Sequence, residues 1–179
     1  GTGYFHTKKK SATYNDTYHG IDKYDGEWLY RYNVQCTRTG YRFVEWTKNK
    51  AGGTTYKGPS ADTDGMTLVA NWEARTYSIT LYEFYATNGA TAADYQKWYA
   101  DNKTSPYQYQ ATYDAALPAI TGGTWGGYRF AGYYTGPKKT GVMYYDANLK
   151  PTVAAYQTAG DLVLYAAWDP IPYTLTFNP

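Results

Sequence analysis

The sequence predicts a mainly β chain with a helical addition, an α+β chain built as two tandem modules. Three observations carry that prediction. A set of aromatic and glycine landmarks occurs twice in the same order. Short segments alternate apolar and polar residues with period two, as half-buried strands do. Aromatic and β-branched residues concentrate in segments such as Tyr41–Trp46, which favours strands there.

The landmarks come first, because internal similarity decides how the rest is read. Gly40-Tyr-Arg-Phe43 recurs as Gly127-Tyr-Arg-Phe130. Each is followed by a segment ending in an aromatic, Val44-Glu-Trp46 and Ala131-Gly-Tyr133. Leu68-Val-Ala-Asn-Trp72 matches Leu164-Tyr-Ala-Ala-Trp168. After each Trp comes an alternating run, Tyr77-Ser-Ile-Thr-Leu81 and Tyr173-Thr-Leu-Thr-Phe177, 96 residues apart. Tyr24-Asp25 and Tyr113-Asp114 precede the two glycine landmarks. Tyr4-Phe-His-Thr7 is the weakest member of the set, 73 residues before Tyr77. The 23-residue difference is two gains, of 16 and 9 residues, less a 2-residue shortening between them, so the second module is the first with two insertions. The boundaries read as 1–76 for module one and 77–172 for module two. The insertions lie near 91–106 and 134–161, and 173–179 is the first strand of a third module. Trp46, Trp72, Tyr133 and Trp168 are the expected structural anchors.

The run Arg38-Thr-Gly-Tyr-Arg-Phe-Val-Glu-Trp46 followed by Met66-Thr-Leu-Val-Ala-Asn-Trp72 resembles the Listeria–Bacteroides repeat, the internalin-type B-repeat family. The resemblance covers nearly all of module one and both ends of module two. It implies a small β-grasp-like module, found in tandem on bacterial surface and secreted proteins, with no catalytic residues and no cofactor. The sequence departs from the pattern at Glu45, where the family has Gly, at Tyr133, where it has Trp, and in the insertions.

The elements follow from local pattern. Tyr77, Ile79 and Leu81 alternate with Ser78 and Thr80, a strand with one apolar face. Tyr173, Leu175 and Phe177 do the same. Tyr41–Trp46 is rich in aromatic and β-branched residues and reads as a strand. Leu162–Trp168 is a continuous apolar run, the mark of a well-buried strand. Gly40 and Gly127 precede strands where a turn with positive φ lets the chain start sharply. In the first insertion Thr91-Ala-Ala-Asp94 has the spacing of a capping box. Tyr95, Trp98 and Tyr99 then form one helical stripe, expected to pack on a sheet. Pro106 limits the helix.

Composition bounds the function. The 179 residues carry a formal charge of only +2, with 18% charged, which argues against a charge-driven nucleic-acid partner. Leu, Ile, Val and Phe number 23, a level typical of disorder, but 24 Tyr and 6 Trp supply an aromatic core instead. Cys36 is alone, so no intrachain disulfide or cysteine zinc site is expected. No apolar run is long enough to span a membrane.

Chemistry is thin. His6 and His19, with Asp16 and Asp22, lack the spacing of a metal pair. Asp22, Asp25 and Glu27 form a carboxylate cluster that reads as a solvated turn, as do Asp62 and Asp64, which lack a third calcium ligand. Lys8–Lys10 reads as a solvated edge. Catalytic residues, cofactors and metals are therefore all expected to be none. The tyrosine excess remains. Two modules cannot bury every aromatic ring, and exposed Tyr and Trp make rigid amphipathic contact surface. Tyr107, Tyr109, Trp125, Tyr144 and Tyr145, in or beside the insertions, are the expected ligand contacts. The expectation is a non-enzymatic extracellular region of a bacterial surface protein, acting as adhesin stalk or contact module for a host or cell-surface protein or glycan. The alternative is a carbohydrate-binding module using those aromatics. In isolation the chain is expected to be a monomer.

Overall fold

The structure is a computed structural model of all 179 residues. It describes residues 17–21 (backbone only), 37–58, 65–83 and 91–176. The chain divides into two compact units, Gly1–Arg75 and Thr76–Pro179. It is mainly β, with two sheets and one helix among the described residues.

Unit one holds a three-stranded antiparallel sheet in the order β1-β3-β2, where β1 is Thr17–Ile21, β2 is Tyr41–Lys48 and β3 is Met66–Ala74. Period two on β3 turns Met66, Leu68 and Ala70 inward, and all three are buried with Trp46 of β2 and Tyr56. Thr47 is also buried. Its hydroxyl donates to the Lys50 carbonyl at 2.8 Å and accepts from the Asn71 amide at 2.6 Å. The Asn71 carbonyl oxygen in turn accepts the Gly52 N–H at 2.7 Å, so one β3 side chain holds the 49–53 turn in place.

Unit two holds a five-stranded mixed sheet in the order β5-β4-β8-β6-β7. The strands are β4 Thr76–Tyr82, β5 Tyr107–Thr112, β6 Tyr128–Gly136, β7 Thr140–Tyr145 and β8 Leu162–Pro170. The first and last of these, β4 and β8, pair in parallel at the centre, and the remaining pairs are antiparallel. The parallel pair is the most deeply buried, as expected for strands covered on both faces. One face packs Ile79, Leu81, Leu164, Ala166 and Trp168 against Leu117, Ile120 and Tyr156 from loops. The other face takes the helix α1, Ala92–Asp101.

The helix forms as its sequence dictates. The Thr91 side chain accepts the Asp94 N–H, and the Asp94 carboxylate accepts the Thr91 N–H at 2.6 Å, a complete capping box. Those same bonds hold the Asp94 carboxyl below its ordinary range, with the Thr91 backbone bond the largest cause. Tyr95 and Tyr99 are buried and Trp98 is half-buried, so the stripe faces the sheet. Tyr95 meets Tyr165 edge-on at 5.0 Å, and its hydroxyl donates to the Ala166 carbonyl at 3.3 Å. Burial, and then Tyr165, push the Tyr95 phenol up to about 12.

The β2–β3 and β6–β8 ladders match pair for pair. Tyr41↔Ala74, Arg42↔Glu73 and Phe43↔Trp72 correspond to Tyr128↔Pro170, Arg129↔Asp169 and Phe130↔Trp168. Both ladders then slip by one residue, at Val44 and at Ala131, and resume as Glu45↔Asn71 and Gly132↔Ala167. Gly40 (φ +75°) and Gly127 (φ +80°) open the two strands, and each carbonyl accepts the N–H of the residue after the partner strand, Arg75 and Ile171, at 2.9 Å.

Three features differ from the sequence reading. β5 and β7 are strands within or beside the insertions that the sequence reading did not mark. In β5 Tyr107, Tyr109 and Ala111 alternate with polar residues over a short, largely polar run, and β7 follows a tight turn through Lys138 and Lys139. The alternating segment after β8 carries no strand: residues 171–176 are exposed, with Tyr173 at 75% and Leu175 at 80%. A strand exists by pairing, and no ladder reaches this segment. Phe177, Tyr4–Thr7 and Tyr24–Asp25 lie outside the described residues.

Candidate binding surface

The five aromatic residues expected at a contact surface do not share one environment. Tyr107 and Tyr109 stand two apart on β5, hence on one face, which also carries the buried Ala111. Tyr107 is 51% exposed. The Tyr109 ring leans on the core, and its hydroxyl accepts the Thr121 N–H at 3.2 Å and lies 3.1 Å from the Thr121 hydroxyl. Trp125 lies on the loop before β6, half-buried. It stacks on Tyr128 with centroids 3.7 Å apart and planes 9° from parallel, and meets Trp168 edge-on at 5.9 Å. One face of Trp125 is therefore already used by Tyr128.

Tyr144 is half-buried, its hydroxyl 3.1 Å from that of Thr158. It borders a shallow depression of about 350 Å³ lined by Val153, Ala154, Ala155, Gln157 and Thr158. Tyr145 is a correction. It is fully buried, donates to the Pro118 carbonyl at 2.9 Å, and has no surface to offer a ligand. Alternation on β7 puts Tyr144 and Tyr145 on opposite faces, and Tyr145 is the one turned into the core. Burial, then Tyr109, push its phenol up to about 12.

The sequence reading did not mark Glu83, the one acid buried among the described residues of this unit. Glu83 follows β4 and is 1% exposed. Tyr133 donates to its Oε1 at 2.9 Å, the Trp168 indole donates to its backbone carbonyl at 2.8 Å, and its own N–H donates to the Tyr99 hydroxyl at 3.0 Å. A Cβ at Gly123 would stand 2.6 Å from Oε2, so any side chain there would have to displace the carboxylate. β6, β8, α1 and the 113–127 loop thus converge on one residue. Burial, and then the neighbouring Glu83, drive the Tyr133 phenol well above its ordinary value, which keeps it a donor. The only sequence signal was a lone acid between Tyr82 and Phe84 at the end of an apolar strand.

The remaining chemistry-bearing candidates, His6, Asp16, His19, Asp22, Asp25, Glu27, Cys36, Asp62 and Asp64, lie outside the described side chains. Among the described residues no three His, Cys, Asp or Glu side chains gather as a metal site. No described helix is long and apolar enough to cross a membrane. No family model, curated protein or solved structure matches the chain.

Proposed function

We propose that the chain is a non-enzymatic region of an extracellular bacterial surface protein, two copies of one β-grasp-like module that present a contact surface or act as a spacer. The observation that carries this reading is the paired register of the β2–β3 and β6–β8 ladders, with the same slip and the same glycine start. One strand pairing used twice, once with added elements, suits an array that projects and multiplies weak contacts. The central parallel pair of unit two, formed by its first and last strands, supports the β-grasp-like description. Labelling intact cells that express the parent protein, beside lysed cells, tests location. Label on intact cells is expected, and label that needs lysis contradicts the proposal.

A glycan-binding reading is the second, favoured by exposed Tyr107 and by the depression beside Tyr144. Stacking on one aromatic is worth about 1–3 kcal/mol, as for a base, so the multimerised chain is the right probe for a glycan array. Binding lost on joint Ala substitution of Tyr107 and Tyr144 supports it. Binding that survives, or a silent array, leaves the spacer role.

A further inference from the structure

Natural sheets blunt their edges with charge, proline, bulges or cover, because an open edge pairs with other chains. The described edges of this protein are treated unequally. β2 carries Arg42, Glu45 and Lys48, is bulged, and is flanked by a bridge from Thr47 to Thr55. β7 has two register shifts against β6 and is covered at its end by Pro151 and Thr152. β5 has none of these devices. Its sequence, Tyr-Gln-Tyr-Gln-Ala-Thr, holds no charge and no proline. It pairs with β4 over six consecutive residues without a shift, and no ladder or bridge among the described residues occupies its other side. Tyr107, Gln108, Gln110 and Thr112 are exposed along it.

We infer that the β5 edge pairs antiparallel with the β5 edge of a second copy of this chain, joining two five-stranded sheets across a two-fold axis. The sequence of the strand is self-complementary in that arrangement. An axis at Tyr109 sets Tyr109 opposite itself, each Gln108 opposite a Gln110, and each Tyr107 opposite the small Ala111. Every pair then joins residues of the same face, which a one-residue slip would destroy. Facing glutamines can bond through their amides, as in stacked strands. Flanking charge suits this direction: Lys103 precedes the strand and Asp114 follows it, while Asp101 is already paired with Lys97 within the helix. Antiparallel pairing brings the Lys103 end of one copy to the Asp114 end of the other, whereas parallel pairing sets like beside like. The interface is isologous and small, so the dimer is weak, with a dissociation constant on the order of 0.1–1 mM. The isolated chain is then a monomer when dilute, and pairing matters where copies are crowded.

Sedimentation equilibrium of the full chain, from about 10 μM to about 1 mM, tests this. A dimer fraction that rises over that range is expected. Gln108→Lys with Gln110→Lys places lysines opposite lysines and weakens the dimer at least tenfold, as does the matching pair of Glu substitutions. Mixing the Lys and Glu variants restores association, which no folding defect reproduces, because the side chains are exposed and each variant keeps its circular dichroism. A chain that stays monomeric throughout, a dimer indifferent to both variants, or variants that fail to pair on mixing overturns the inference. So does a dimer removed by Tyr173→Ser with Leu175→Ser while β5 is intact, which would place the contact on the exposed segment after β8.

Discussion

The β2–β3 ladder of unit one and the β6–β8 ladder of unit two begin alike and finish differently. Both set a Phe against a Trp edge-on, Phe43 with Trp72 at 5.8 Å and Phe130 with Trp168 at 5.4 Å. Both turn a second aromatic inward two pairs later, Trp46 and Tyr133. There the paths part. The Trp72 indole nitrogen is buried without a hydrogen-bond partner, while its counterpart in Trp168 donates to Glu83. Where unit one has Trp46, unit two has Tyr133, whose hydroxyl serves the Glu83 carboxylate. The flank differs too: β3 lies beside the antiparallel β1, and β8 beside the parallel β4. Arg38 covers the Tyr41 ring at 3.6 Å where Trp125 stacks on Tyr128. The lesson is that the ladder tolerates different completions, and that the Trp-to-Tyr change at 133 accompanies a buried acid needing a donor.

The largest expected effect falls on the shared tryptophan. Trp168→Ala removes a buried ring and the Glu83 carbonyl's donor, and costs about 3–5 kcal/mol in urea unfolding. Trp72→Ala costs less, about 1–3 kcal/mol, because Trp72 is only half-buried and its nitrogen is unbonded. Equal losses would erase the contrast drawn between the ladders.

Tyr133→Phe comes next. It keeps the ring and withdraws the donor from a buried carboxylate, for about 1.5–3 kcal/mol. Tyr133→Trp, which copies unit one, recovers none of this, whereas joint Tyr133→Phe and Glu83→Leu costs less than the sum of its parts. Strict additivity would show that Glu83 and Tyr133 are not coupled.

The buried phenols set the alkaline limit of unit two. Tyr95, Tyr145 and Tyr156 are each pushed up to about 12, chiefly by burial, so the folded state favours their neutral form. A raised folded value means that this stability is complete below the unfolded value near 10 and is lost as pH climbs toward 12. Melting followed by circular dichroism is therefore expected to show a flat midpoint below about pH 10 and a falling one above it. A midpoint unchanged to about pH 12 would mean the phenols are solvated.

The smallest effect is local. Thr91→Ala removes the α1 cap and costs about 1 kcal/mol. It is expected to raise amide exchange in α1 and not in the β2–β3 ladder.

Legibility followed the range of the interactions. The α1 cap, its buried stripe and the strands at 41–46, 77–81 and 162–168 were readable because neighbours within a few residues determine them. β7 was not, since it is a strand through pairing with β6 and its own residues alternate poorly. β5 does alternate, Tyr107, Tyr109 and Ala111 against Gln108, Gln110 and Thr112, but only its pairing with β4 distinguishes so short and polar a run from a loop. Tyr145 looked like surface because nothing local says which of two adjacent tyrosines turns inward. Glu83 was invisible for a similar reason: its donors lie 50 and 85 residues away in sequence.

The central claim is that the two units use one strand pairing, including its slip. Backbone nuclear Overhauser contacts across the ladders measure it directly. Cross-strand contacts are expected to join Glu45 to Asn71 and Gly132 to Ala167, with Val44 and Ala131 both left out of register. Regular pairing through Val44 or through Ala131, in either unit alone, would contradict it.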